Sequence, residues 1–387
     1  MDSCDVLIIG AGPAGSSCAW GLRRSGLDVL IVDRSKFPRN KVCGGWITPG
    51  VFQVLEIQPE VYARTNLLQE ITGFRIGIMG SDGLVVGYMR TVSFGIRRLE
   101  FDEYLLRRCG ARCREQTELV GLERVPGGWL INGNIRARLL VGAGGHFCPV
   151  ARLVGSRRAE QPIVAQEVEF QMTPAQVDSC PVKADTPEIY FCGDLRGYGW
   201  CFRKHDYLNI GLGRMDPQHL ASHVAQFCTT LTQSGKLPFE WPDKFCGHAY
   251  RLFTDSPNFL FDDGVVLIGD AAGLAYPQSG EGIRPAIESG LLAAEVIVAA
   301  AGDYAYDRLR PYRDKVADRF SREAANLGKI SNYVPSKFRN ACARLLLRNK
   351  IFCRHVVSDA WFLREDGHTA SGQFLRAKPQ STVKKGD

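Results

Sequence analysis

The chain holds no apolar run that reaches the ~20 residues of a membrane span, no Cys-x-x-Cys pair and no internal repeat. Its 13 cysteines, an odd number, are scattered from Cys4 to Cys353. Such scatter argues against a disulfide framework. The nearest approach to metal-ligand spacing, Cys109 with Cys113, falls on an expected helix and lacks a second ligand pair, so no metal site is expected. Nothing like a signal peptide precedes the first expected strand at about Asp5. A reducing cytoplasm is the expected setting.

What is present is an ordinary globular composition, 45% hydrophobic and 23% charged, in a chain long enough to bury a large cofactor. The formal net charge of +7 is concentrated at one end, because residues 336–387 carry 11 Lys/Arg against 4 Asp/Glu. Two readings stand: a basic, amphipathic region that meets an anionic membrane surface or an acidic partner, and a solvated helix face with a loose tail. Nucleic acid is not an expected partner, since no recognised binding motif accompanies the charge.

The chain opens as strand (Asp5 to Ile9), glycine-rich turn, helix (Pro13 to Ser25) and second strand (Asp28 to Val32). In the turn, Gly10-Ala11-Gly12-Pro13-Ala14-Gly15, the first glycine permits the bend and the second lets a pyrophosphate approach the backbone. The third, Gly15, lets helix and strand pack closely. The helix N-terminus offers free N–H groups to phosphates. Asp33, followed by Arg34, closes the second strand, where a carboxylate can accept hydrogen bonds from ribose hydroxyls.

Farther on come a helix over Leu99 to Cys109, strands near Glu118–Arg124, Gly128–Ile131 and Leu139–Gly142, and alternating strands from about Ile163 to Gly213 that predict an antiparallel sheet. Buried-strand character returns at Gly264 to Asp270, and a long apolar helix follows over Ile283 to Ala301. The helical pattern continues from Tyr304 to about Leu363. A second constellation, Gly269-Asp270-Ala271-Ala272 with Gly280-Glu281-Gly282-Ile283, sets a carboxylate at a strand end before a glycine-rich helix start. Asp270 can bind polyol hydroxyls, and the helix start can stabilise negative charge.

Together with Arg98-Leu99-Glu100-Phe101-Asp102, these segments resemble the flavoprotein superfamily typified by para-hydroxybenzoate hydroxylase. Within it, the closest likeness is to the geranylgeranyl reductases, carried by Lys41-Val42-Cys43-Gly44-Gly45, Tyr198-Gly199-Trp200-Cys201-Phe202 and Tyr276-Pro277-Gln278-Ser279-Gly280-Glu281-Gly282-Ile283, over roughly residues 1–330. The resemblance implies an α/β fold, α+β overall: a Rossmann-like FAD-binding domain (1–160 and 247–303, with part of 45–100 on the substrate side), an interleaved antiparallel-sheet substrate domain (161–246), a C-terminal helical region (304–366) and a flexible basic tail (367–387).

It also implies that Arg98 contacts the flavin edge or phosphates and that Cys43, with Gly44, lines the active face of the ring. Trp46, Tyr198, Trp200, Phe202 and Tyr276 wall an apolar substrate cavity. Plain core packing is the competing account of the aromatics, and inert burial that of Cys43. The sequence departs from the family at Ala143-Gly144-Gly145, which lacks the usual aspartate, and at Arg203, where a proline is usual. Arg203, Lys204 and His205, before Asp206, read as a solvated hairpin turn or as a site for an acidic head group.

The implied activity is a flavin-dependent reduction of carbon-carbon double bonds in a prenyl or lipid-like substrate, with Cys43 or Tyr198 as proton donor. Only one dinucleotide fingerprint is present, so NADPH bound transiently, or a ferredoxin, is the expected electron donor. The rivals are an O2-using monooxygenase or halogenase, and a flavin electron carrier to a membrane quinone. No Trp-x-Trp-x-Ile-Pro segment supports the halogenase.

Overall fold

The computed structural model describes residues 1–155, 162–253, 260–324 and 336–364. Two sheets divide the chain. In the first, the strands run in the order Phe261–Asp262, Val265–Leu267, Ile135–Gly142, Asp2–Ile9, Val29–Val32, Arg112–Arg114. The four pairings from Val265–Leu267 to Arg112–Arg114 are parallel. Val6, Leu7, Ile8 and Leu139 to Val141 are fully buried, as a parallel sheet covered on both faces requires. Helices Pro13–Leu22 and Ile283–Ala299, far apart in sequence, pack on each other beside this sheet. The late strand Val265–Leu267 thus completes the fold begun at residue 2.

The second sheet has the order Cys246–Tyr250, Ile163–Gln171, Tyr207–Arg214, Gly197–Lys204, Glu188–Phe191, Gly73–Ile78, Leu84–Gly87, antiparallel except between Glu188–Phe191 and Gly73–Ile78. Side chains alternate across it. Val168, Cys201, Leu208, Ile210 and Leu212 face a core closed by Phe227 and Leu231 of helix Leu220–Gln233. The opposite face carries Glu167, Glu169, Trp200, Phe202, Lys204 and Asn209, and the site is built there. Two of the sheet's strands come from 73–87, within the stretch 45–100 expected to contribute to the substrate side, and its edge strand Cys246–Tyr250 runs past residue 246. A three-stranded sheet of Trp46–Ile47, Ser93–Ile96 and Leu68–Ile71 bridges the halves.

Several expectations change. The helix beginning at Arg98 ends at Arg108, so Cys109 caps it and Cys113 sits on strand Arg112–Arg114. Beyond Tyr304 the chain forms separate helices: Tyr306–Leu309, Pro311–Ala324, Ser336–Leu346, Lys350–Phe352 and a wide turn of helix, Cys353–Leu363, closed by an Arg364 N–H to Asp359 carbonyl bond of 2.9 Å. That last segment packs on the second sheet through Val357, Phe362 and Leu363. The basic tail 367–387 lies outside the described residues. All 13 cysteines are free. Among the described residues no group of three or more His, Cys, Asp or Glu is arranged for a metal ion, and no helix is long and apolar enough to cross a membrane.

Candidate functional site

A cavity of about 520 Å³ runs between the two sheets. Gly10, Gly12, Pro13 and Ala14 line one end, with Asp33 and Arg34. Gly10 has φ +112°, in the region that favours glycine. A Cβ on Gly15 would lie 1.9 Å from the Gly10 carbonyl oxygen. Gly15 therefore stays outside the cavity and sets how closely helix Pro13–Leu22 meets the sheet, as its place in the turn predicts. Asp33 is held rigid, since Oδ2 accepts the Ala11 N–H at 2.8 Å and Oδ1 the Ser35 N–H at 2.8 Å.

Midway, Asp270, Gly280, Gly282 and Ile283 face Lys41, Cys43, Gly44 and Arg98. Buried Asp102 accepts two hydrogen bonds from Arg98, both at 2.8 Å, and pairs with Arg39 at 3.2 Å. Burial opposes charge on Arg98, but Asp102 and the Cys43 thiol beside it hold the guanidinium fully ionised. His248 Nε2 lies 2.7 Å from Lys41 Nζ and 3.4 Å from Asp270 Oδ2. One ring nitrogen cannot accept from the ammonium and donate to the carboxylate at once, so the His248 tautomer decides which of the two hydrogen bonds is made. Burial pushes Lys41 down to about 8 and lowers His248 as well. Burial works against ionised Asp270, but the His248 hydrogen bond and the charges of Lys41 and Arg98 keep its carboxyl below the usual range.

The far end is aromatic. Trp46, Tyr198, Trp200 and Phe202 line it, and Phe362 from the C-terminal segment stacks on Trp46 at 5.0 Å. Tyr198 donates its hydroxyl hydrogen to the Ser279 carbonyl. Burial pushes the Tyr198 hydroxyl well above the ordinary phenol pKa, so that proton stays in place. Tyr276 is not brought to the cavity. It is fully buried under Arg364, whose guanidinium lies 3.7 Å from its ring, and its hydroxyl accepts from Arg319 at 3.2 Å. The Tyr276-Pro277 turn heads toward the C-terminal helices, which explains the difference.

Lys204 is not in a solvated turn and does not line the cavity. It is buried, and its ammonium lies 2.7 Å from Glu169 Oε1 beneath the Cys43 loop. His205 and Asp206 form the turn itself, with His205 exposed. The Gly144-Gly145 departure lies on the cavity wall next to His146.

Some groups were missed by the sequence reading: His248, Glu281, His146 and Phe362. Glu281 had a visible signal, its place between two motif glycines. Among the described residues, five cavity-lining side chains, Arg39, Trp46, Thr48, His146 and Glu281, keep a buried polar atom with no protein partner. Burial pushes the Glu281 carboxyl up to about 7, against the charges of Arg284 and Arg364. A cavity with a glycine turn and helix N-terminus at one end, two carboxylates along it and unmatched polar atoms in its wall fits an FAD molecule.

Comparison with known proteins agrees. Residues 5–93 match the FAD dependent oxidoreductase family. The chain is 30% identical over 324 residues to the geranylgeranyl diphosphate reductase of Rhodobacter capsulatus, covering 76% of this chain and 75% of that one. It is 26% identical over 356 residues to digeranylgeranylglycerophospholipid reductase 1 of Methanothermobacter thermautotrophicus, covering 85% and 86%. The crystal structure of a geranylgeranyl bacteriochlorophyll reductase-like protein from Thermoplasma acidophilum superposes with a TM-score of 0.73 at 21% identity, over 98% of both chains, and shares the fold. The protein is an FAD-dependent oxidoreductase. It belongs to the geranylgeranyl reductase family.

Proposed function

We propose that this protein reduces carbon-carbon double bonds in a prenyl or other hydrophobic substrate. FAD, when bound and reduced, supplies the hydride. Gly10, Gly12, Pro13 and Ala14 at the helix N-terminus would hold its pyrophosphate, Asp33 and Arg34 its adenosine end, and Asp270 its ribityl chain. Gly280, Gly282 and Ile283, opening helix Ile283–Ala299, and Arg98, Cys43 and Gly44 opposite, would border the ring. Trp46, Trp200, Phe202 and Phe362 exclude water from the substrate end. Cys43 gives the proton, and charged Arg98 stabilises the thiolate left behind. Tyr198, committed to the Ser279 carbonyl, shapes the wall.

One observation carries this reading: the polar, glycine-lined end and the aromatic end belong to one continuous cavity, with Cys43 where they meet. Electrons reach the flavin from transiently bound NADPH or from a ferredoxin-type protein. The test is anaerobic. FAD-loaded protein, bleached with NADPH or reduced ferredoxin, is mixed in turn with geranylgeranyl diphosphate, a menaquinone and O2. Reoxidation by the alkene, with a product two hydrogens heavier, is the expected result. Reoxidation by quinone alone, or oxygenated product with O2, overturns it in favour of a carrier or a monooxygenase.

The substrate is met at an anionic membrane surface. Leu345 and Ile351 are 70% and 71% exposed, beside exposed Arg348 and Lys350, on the region that ends in cavity-lining Phe362. FAD-loaded protein is expected to sediment with phosphatidylglycerol vesicles and not with phosphatidylcholine vesicles. The double variant Leu345→Glu, Ile351→Glu is expected to stay in solution, and equal sedimentation of the two forms overturns the surface.

A further inference from the structure

The loop that carries Cys43 has no secondary structure of its own between Lys41 and Gly45. It is fastened from beneath by the polar face of the second sheet. Glu167 Oε1 accepts the Cys43 N–H at 2.7 Å, and Asn209 Nδ2 donates to the Cys43 carbonyl at 3.2 Å. Asn209 also donates to Glu167 Oε2 at 3.0 Å, and its orientation is set by Trp200, whose indole N–H donates to Asn209 Oδ1 at 2.7 Å. Glu167 is 7% exposed and Asn209 1%. A buried acid-amide pair therefore grips both backbone groups of one residue, and that residue bears the thiol beside Arg98.

We propose that Glu167, working with Asn209, is the positioning residue for Cys43, holding the loop so that the thiol faces the cavity. This rests on the double-bond reduction reading for the use made of Cys43, though not for the geometry. The hold depends on protonation. An ionised Glu167 offers acceptors to both Cys43 and Asn209, whereas a protonated one turns one oxygen into a donor. Burial pushes the Glu167 carboxyl up to about 7 and Glu169 adds to the rise, while the Cys43 N–H, Lys204 and Asn209 oppose it. The other charged groups around the pair are Arg97, 3.6 Å from Glu169, and Arg98 and Lys41 on the far side of the loop.

The test compares wild type with Glu167→Gln, both loaded with FAD and both in a Cys246→Ser, Cys342→Ser background that removes the exposed thiols. The rate of Cys43 alkylation by iodoacetamide is followed by mass spectrometry across neutral pH. Taking the ratio of variant to wild type removes the intrinsic titrations of the thiol and of Lys41 that both proteins share, and keeps what the Glu167 charge and its hold on the loop add. Where Glu167 is protonated the two proteins match, so the ratio is close to one. Above its midpoint the wild-type loop is held and its thiol disfavoured by the nearby charge, and the ratio is expected to rise to roughly fivefold, the worth of one hydrogen bond. A ratio that does not change with pH marks a merely structural contact and overturns the proposal.

Should Glu167→Gln not bind FAD, the wild type alone decides. Protection of the Cys43 amide from hydrogen exchange, corrected for the intrinsic rate, is expected to grow as pH rises through the same range. Constant protection refutes the role. Neither readout needs turnover, so a protein that fails to reduce an alkene yet shows the pH-dependent ratio sinks the reduction reading and leaves the positioning of Cys43 standing.

Discussion

Asp102→Ala is expected to destabilise the protein by about 3–5 kcal/mol, the usual consequence of removing one partner from a buried ion pair. Asp102 is fully buried and accepts both Arg98 hydrogen bonds at 2.8 Å while pairing with Arg39 at 3.2 Å. Its loss leaves two guanidinium groups in a poorly solvated wall with no counter-charge. Arg98 then has no reason to hold its place beside Cys43, so FAD affinity should fall by roughly tenfold or more. Chemical denaturation of the flavin-free protein measures the first effect and fluorescence titration with FAD the second. The isosteric Asp102→Asn keeps one acceptor and should lie between wild type and the alanine variant. An alanine variant as stable as wild type would show that the pair is hydrated and the argument wrong.

Gly15→Ala tests the other end of the cavity. The added methyl would lie 1.9 Å from the Gly10 carbonyl oxygen, and no rotamer change relieves a contact between a Cβ and the backbone. Nor can helix Pro13–Leu22 retreat, because helix Ile283–Ala299 packs against it. One extra methyl in a packed core commonly costs about 1–3 kcal/mol, and this position should meet the upper end. The larger consequence is for the flavin. Any shift of that helix carries Pro13 and Ala14 out of line with Gly10, so the purified variant is expected to be colourless and to take up little added FAD. Wild-type absorbance in the variant would mean that the turn does not hold the cofactor.

Both substitutions fall in motifs that were readable from the amino acids alone, because they demand short-range geometry: a tight turn after a buried strand, or an Arg and an Asp four residues apart on one helix. The opening strand, helix and strand lie within a few residues of their expected ends for the same reason. What stayed hidden depends on which way a face looks. The run Val164 to Phe170 alternates as a half-solvated strand should, and alternation correctly separates Glu167 and Glu169 from Val168. It cannot tell water from the floor of a cavity, so nothing in the pattern marks buried Glu167 and half-buried Glu169 as lying beneath the Cys43 loop. Lys204 misled in the same way, since a lysine before a turn is solvated unless a distant strand brings a carboxylate, here Glu169, to meet it.

Phe362 and His248 were invisible for a different reason. Each belongs to an element whose local pattern, an amphipathic helix and an edge strand, is complete without any site. Their contacts with Trp46 and with Lys41 and Asp270 arise only once the two sheets have been assembled. Tyr276 shows the converse: it lies inside a recognisable motif, yet the turn after it sends its ring to Arg319 and Arg364.

The stacking of Phe362 on Trp46 makes the order of synthesis matter. Trp46 leaves the ribosome well before Phe362, so a nascent chain can form strand Asp2–Ile9, the glycine turn and helix Pro13–Leu22 long before its apolar chamber has a wall. Until the C-terminal segment arrives, Trp46, Tyr198 and Trp200 stay open to any greasy surface nearby. A chain stalled or clipped before residue 353 should therefore present a sticky half-chamber and be a preferred client of chaperones.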